Sequence, residues 1–268
     1  MHDLPLAIFT VLSQMAIGAF ITMWLLELRN KDISYKTGVL ISVSITIIGS
    51  ISVLFSLFHL GHPFAAYRAI LNIGRSWLSR EVTLYGGFIF LSGLYTYFWW
   101  KGDSSKRFLC GVFGTIVGLA TIFSSAMIYV IPAIPAWDSL STIVAFFVTG
   151  LILGPLFTGM LLQWKKELSF NISFVTLIGL AISALTVAMY TSSLFGGLPE
   201  AVATGELMLD SSLFWGRIMA FIIALFIFLL AHIRRRASHK ILYTTGFVLL
   251  LASEFLGRVL FYTSAIHL

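Results

Sequence analysis

His59 and Glu81 combine the right side-chain chemistry with the right surroundings to take protons from a bound ring. They flank the stretch HLGHPFAAYRAILNIGRSWLSRE, in which Gly61 and Pro63 should end a helix just after His59. Beyond them Phe64, Tyr67, Leu71, Gly74 and Leu78 recur at helical spacing, with Arg68, Asn72, Arg75 and Ser79 as an opposing polar stripe. Residues 62–80 are therefore expected to lie as a segment in the membrane interface. That brings His59 and Glu81 to about the same depth at the edge of two neighbouring spans. Oxidation of a quinol releases two protons, and imidazole or carboxylate can hydrogen-bond the ring hydroxyls before accepting them. An apolar pocket near the interface suits the ring, with its isoprenoid tail in lipid.

Around this pair Tyr67, Arg68, Arg75 and Trp77 are candidate contacts to the ring. Arg80, Tyr129, Trp137, Arg217, Glu254 and Arg258 form a second tier of candidates. Each has a plainer reading. His59 continues the face of Ser52 and Ser56 and can serve packing alone, and Glu81 follows Ser79 in a first helical turn, where the helix dipole favours a carboxylate. Trp77 and Trp137 suit an aromatic belt. Glu254 and Arg258 stand one turn apart, near the depth of Arg217, so an interhelical salt bridge is expected, with proton exit or ligand contact as the alternative.

Elements that position such residues must cross a membrane. The 268 residues are 59% hydrophobic and 10% charged, with a mean hydropathy of +0.97, against roughly 25% charged in a soluble domain. Apolar runs of spanning length lie at about 5–28, 38–60, 82–100, 108–131, 139–163, 171–193, 213–232 and 241–263. Continuous apolarity without alternation means helices rather than a barrel. The expected fold is an all-α polytopic membrane protein, a single domain over 1–268 with eight transmembrane helices. The start, Met1-His2-Asp3-Leu4, lacks the basic region of a cleaved signal and reads as leading into the first permanent span. Gly114/Gly118 and Gly150/Gly154 suit close helix packing, and Pro155 should kink the fifth span.

Orientation follows from Lys and Arg in short loops, which stay on the cytoplasmic side. Arg29, Lys31 and Lys36, then Lys101, Lys106 and Arg107, then Lys165 and Lys166, then Arg234, Arg235, Arg236 and Lys240 occupy alternate loops. Both termini are then outside. Arg68, Arg75, Arg80, Arg217 and Arg258 break the rule, which points to ion pairing, partner docking or ligand contact. The net charge of +6 belongs to this topology signal, so nucleic acid is set aside.

A single cysteine, Cys110, leaves no intrachain disulfide, thiolate zinc site or iron–sulfur cluster. The six histidines lie in the tails (His2, His267) or at span edges (His59, His62, His232, His239), so no pair brackets a haem. No metal or haem is expected in this chain. Electrons leaving a quinol would pass directly to a docked protein holding metal centres.

At His59 to Glu81 the sequence resembles the DmsC family, the membrane anchor subunits of dimethyl sulfoxide reductase and related molybdoenzymes. The resemblance covers nearly the whole chain. It includes His-Leu-Gly-x-Pro from His59, Ser-Trp-Leu-Ser-Arg-Glu from Ser76 to Glu81, and Met-Ile-Tyr-x-x-Pro-Ala-x-Pro-Ala-Trp from Met127 to Trp137. It implies a haem-free subunit of a bacterial inner-membrane complex. That subunit oxidises menaquinol and passes electrons to an iron–sulfur subunit, which feeds a molybdopterin catalytic subunit. The family's quinol-linked histidine and glutamate match His59 and Glu81. His62 departs from the small or basic residue often found there, and the terminal acceptor does not carry over, because it is chosen by the catalytic subunit.

Two rivals remain at this level. A secondary transporter would place discontinuous helices and a repeat at mid-membrane, whereas the ionisable residues here gather toward one face. A passive anchor without a quinol site is the other.

Overall fold

The computed structural model describes residues 4–29, 33–59, 72–168, 170–234 and 240–266, apart from the side chains of Phe58, His59 and Arg234. The described residues form nine helices and no strand: α1 Leu4–Leu28, α2 Tyr35–His59, α3 Trp77–Lys101, α4 Ser104–Met127, α5 Leu140–Trp164, α6 Ile172–Phe195, α7 Pro199–Asp210, α8 Ser212–Arg234 and α9 Lys240–Thr263. Eight run for 23 to 25 residues, enough at 1.5 Å per residue to cross about 30 Å of hydrocarbon. Seven of the eight are also apolar enough to qualify as spans on composition; α3 is the exception.

The polar residues of α3 lower its mean hydropathy, and several of them bond to α2. Tyr85 bonds to Ser52 at 2.6 Å, and Thr46 bonds to Ser92 at 2.7 Å and to Thr96 at 3.2 Å. As the α2 number rises the α3 number falls, so the two helices run antiparallel. Large apolar side chains such as Phe90, Leu140, Ile233 and Ile241 point outward, the arrangement expected where the solvent is hydrocarbon.

Local signals set where helices begin. Ser76, Asp103, Ser139 and Asn171 each accept, through the side chain, the amide hydrogen of the residue three further on. Gly102 takes the left-handed conformation that ends α3, with φ 73°. Because Ser76 caps α3, residues Trp77 to Arg80 belong to that helix and not to the interfacial segment expected over 62–80. Of that segment, Asn72 to Arg75 form a turn, and Tyr67 and Arg68 lie outside the described residues. The loop expected between the sixth and seventh spans contains α7, with Pro199 in its first turn and Ala201, Thr204, Gly205 and Met208 buried.

α1 is the hub, packed against α2, α4, α5 and α9. Its approach to α5 is as close as two backbones allow. A Cβ on Gly154 would stand 2.2 Å from the Gly18 carbonyl carbon, and one on Gly18 would stand 2.1 Å from the Gly150 oxygen. The Gly150/Gly154 spacing thus packs helix on helix, while Gly114 and Gly118 receive the side chains of Phe20 and Ile17. α5 continues through Pro155.

At the basic end of the bundle, Glu27 of α1 pairs with Arg107 of α4 and accepts from the Tyr95 hydroxyl of α3 at 2.7 Å. Nearby, Glu167 reaches across to the start of α2 and accepts from the Ser34 amide (2.9 Å), the Ser34 hydroxyl (2.7 Å) and the Thr37 hydroxyl (2.8 Å). Burial opposes ionisation of Glu167, but these hydrogen bonds outweigh it and hold the carboxyl below its usual range. A depressed carboxylate stabilises the fold above its unfolded pKa of about 4.3 and loses that contribution as pH falls through the folded value. Glu167→Gln should therefore lower thermal stability in detergent at pH 7, and the gap from the parent should close below pH 4. A gap of the same size at both pH values would contradict this assignment.

Candidate functional site

The opposite end of the bundle holds the sequence candidates. Continuing the Ser52–Tyr85 register by seven residues in each direction sets the last turn of α2, ending at His59, beside the first turn of α3. The His59 side chain lies outside the described ones, so the structure brings together the backbones of these two turns and places the carboxylate of Glu81.

Glu81 is 6% exposed, turned into the bundle. Its neighbours are Ser125 at the end of α4, Tyr85 one turn further along α3, Tyr129 just beyond α4, and Tyr262 on α9. Ser125 Oγ stands beside the carboxyl without an aligned hydrogen bond. Tyr262 Oη stands likewise beside the hydroxyls of Tyr129 and Thr10. A buried polar atom left unanswered costs roughly 1–3 kcal/mol. Glu81, Ser125 and Tyr262 thus make a buried polar cluster able to bond further polar atoms, such as ring hydroxyls.

The residues around this centre are mostly fastened to the protein. Arg80 donates through Nε to the Ile73 carbonyl and through Nη2 to the Gly74 carbonyl, both at 3.0 Å, and its guanidinium lies 4.2 Å from the Trp77 ring centre. It pins the turn before α3. Trp77 meets Phe123 edge-on at 5.8 Å. Arg75 is exposed in the turn, and among the described residues its side chain has no hydrogen bond or ion pair. Trp137 stacks on Phe261 at 5.0 Å, touches Tyr129 at 5.3 Å and donates from Nε1 to the Phe261 carbonyl at 2.9 Å. It clips the segment after α4 to α9.

Tyr129 and Tyr262 stand between this centre and a second buried polar group. Arg258, 6% exposed, donates from Nη2 to Gln14 Oε1 (2.9 Å) and to Thr149 Oγ1 (3.3 Å), and its guanidinium lies 3.7 Å from the Phe146 ring centre. The Thr149 hydroxyl in turn donates to Glu254 at 2.7 Å. The salt bridge expected among Glu254, Arg258 and Arg217 is absent: among the described residues no guanidinium nitrogen of Arg258 or Arg217 comes within 4 Å of the Glu254 carboxylate, and Thr149 bridges Glu254 and Arg258 instead. A hydroxyl bridge spreads the charge without bringing both ions into one desolvated contact.

Sequence reasoning passed over Ser125, Tyr262, Gln14 and Thr149. Gln14 was the most legible of them, being the amide of an otherwise apolar span, where a polar side chain is expensive unless partnered. Among the described residues no group of three His, Cys, Asp or Glu is placed to hold a metal ion.

Helices of spanning length, an apolar exterior and a carboxyl-centred polar cluster at one end define a multi-pass helical membrane protein with buried polar groups at one end of its bundle. The chain belongs to the family of DMSO reductase anchor subunits (DmsC), whose profile matches residues 1–263. It is 29% identical to the anaerobic dimethyl sulfoxide reductase chain YnfH of Escherichia coli K12, over 97% of this chain and 94% of that protein. Identity to a second anaerobic dimethyl sulfoxide reductase chain of the same organism is 26%, at the same coverage. A shorter match, 32% identical over 44% of this chain and 40% of the relative, is to a sulfite dehydrogenase subunit of Allochromatium vinosum.

Proposed function

We propose that this anchor subunit is also the quinol-oxidising subunit of its complex. In this reading α1 to α6, α8 and α9 are eight spans of a bacterial cytoplasmic membrane, with both termini and the Glu81 end on the outer face. The placement rests on Lys101, Lys106, Arg107, Lys165, Lys166 and Lys240 at the opposite end. A menaquinol ring enters between the ends of α2 and α3. One hydroxyl bonds the Glu81 carboxylate and the other the His59 imidazole. Each group takes one proton as the ring gives up two electrons, and the protons leave outward. The electrons pass to a docked iron–sulfur subunit and from there to a molybdopterin catalytic subunit, since no metal is expected in this chain. Exposed Arg75, with Arg68, suits docking of that partner, whereas Arg80 serves the turn.

The observation that carries the reading is the buried Glu81 carboxyl with the unanswered Ser125 and Tyr262 hydroxyls beside it. A carboxylate is kept out of water at such cost where its basicity is used. Replacing His59 with Gln in the assembled complex tests the reading, with menaquinol oxidation expected to fall at least about a hundredfold. An unchanged rate would leave a passive anchor.

A further inference from the structure

Beside Arg258, α5, α6, α8 and α9, with Met208 of α7, line an open cleft of about 620 Å³, its mouth included. Arg217 and Glu254 both line it. Among the described residues no hydrogen bond or ion pair reaches the Arg217 guanidinium, which rests against Gly257, where an added Cβ would meet it at 2.6 Å. Of the Glu254 carboxylate, one oxygen is taken by Thr149. The Arg217 donors stand at the level of Gly257, three residues or about 4.5 Å along α9 from Glu254. An unpaired guanidinium and a half-satisfied carboxylate, too far apart to meet, are both costly inside a membrane. A molecule with acceptor and donor oxygens spaced to reach each would relieve both.

We propose that this cleft binds a second quinone or quinol head group. One ring oxygen accepts from the Arg217 donors, in the quinol the other hydroxyl donates to the Glu254 carboxylate, and the ring lies against Phe146 and Phe261. Depth favours a neutral ring over a phospholipid phosphate. Arg217 lies five residues inside the start of α8 and Glu254 nine inside the end of α9, about 7 and 13 Å at helical rise. An anion buried that far loses hydration that a quinone does not have to lose. The opposite charges of Arg217 and Glu254 also suit a neutral ligand. The inference rests on the quinol reading only for the presence of quinone in the surrounding membrane. It assigns binding to the cleft, not electron transfer.

The test is photolabelling of the full chain in lipid nanodiscs with an azido-naphthoquinone bearing an isoprenoid tail, followed by mapping of labelled peptides. Label is expected on α6 near Val187 and Tyr190 or on α8 near Arg217, since these helices line the cleft and carry none of the residues around Glu81. Arg217→Gln should lower that label about tenfold or more. Gly257→Ala keeps every charge and only pushes the Arg217 side chain aside, so it should lower the label too and guards against loss by misfolding. Glu81→Gln should leave the cleft label in place. Absence of label on α6 and α8, label indifferent to both Arg217→Gln and Gly257→Ala, or label displaced by short-chain phosphatidylglycerol but not by excess naphthoquinone would overturn the proposal. Cleft label alongside normal quinol oxidation in the Glu81→Gln complex would count against the quinol-oxidation reading instead.

Discussion

Glu81→Gln should abolish most menaquinol oxidation by the assembled complex, by roughly a hundredfold or more, while the chain still accumulates in the membrane and still carries its partners. Loss of a positioned general base typically costs 10²–10⁴ in rate. The amide keeps the shape of the buried side chain but cannot take the proton. Folding should tolerate the change, because a neutral amide is cheaper to bury than a carboxylate beside Ser125, Tyr85, Tyr129 and Tyr262. Glu81→Asp keeps the base but draws it back by one methylene, and should fall between parent and amide. A mutant that oxidises menaquinol normally would show that Glu81 is buried for packing alone.

The largest effect on stability should come from Gly154→Ala. The added methyl would stand 2.2 Å from the carbonyl carbon of Gly18 and 2.5 Å from the amide nitrogen of Ala19, both backbone atoms of α1. No side-chain rotation relieves such a clash, so α1 and α5 must separate. Overpacking of this kind costs typically 1–3 kcal/mol and more where backbone is involved. Because α1 also carries Gln14, the partner of Arg258, the damage should spread to the polar cluster. Gly86→Ala is the matched control, since nothing lies within 4 Å of its added carbon. Denaturant titrations in detergent should show Gly154→Ala destabilised by about 2 kcal/mol or more, and Gly86→Ala close to the parent. Equal midpoints for the two would refute the tight α1–α5 seam.

Much of this fold could be read from apolarity alone. The runs at 5–28 and 139–163 differ by one residue at each boundary that moved from Leu4–Leu28 and Leu140–Trp164. α3 starts five residues earlier than its apolar run because Trp77 to Glu81 are polar-rich, and the signal for its true start is the capping side chain of Ser76. α7 escaped notice because twelve residues are too few to cross a membrane and Glu200, Glu206 and Asp210 interrupt their apolarity. Its traces are Pro199 in the first turn and the i, i+3, i+4, i+7 spacing of Ala201, Thr204, Gly205 and Met208.

The site was legible in part. Glu81 and Tyr129 stood out by residue type and position, and the structure sets them together. Ser125 and Tyr262 did not, since a serine or tyrosine near the end of a span is ordinary. Their role comes from contacts between helices as much as 181 positions apart, Glu81 to Tyr262, for which no local signal exists. The ion pair expected for Glu254 and Arg258 illustrates the same limit: helical spacing placed them one turn apart, but Thr149 and Gln14 on other helices decided what each one bonds.

The most direct measurement is a single turnover. The assembled complex, with His59→Gln in this chain and its partner subunits fully loaded, is mixed with menaquinol, and reduction of the partner's iron–sulfur centres is followed spectroscopically. Proton acceptance at the outer ends of α2 and α3 predicts reduction at least about a hundredfold slower than in the parent, with unchanged cluster content. Reduction at the parental rate would contradict it.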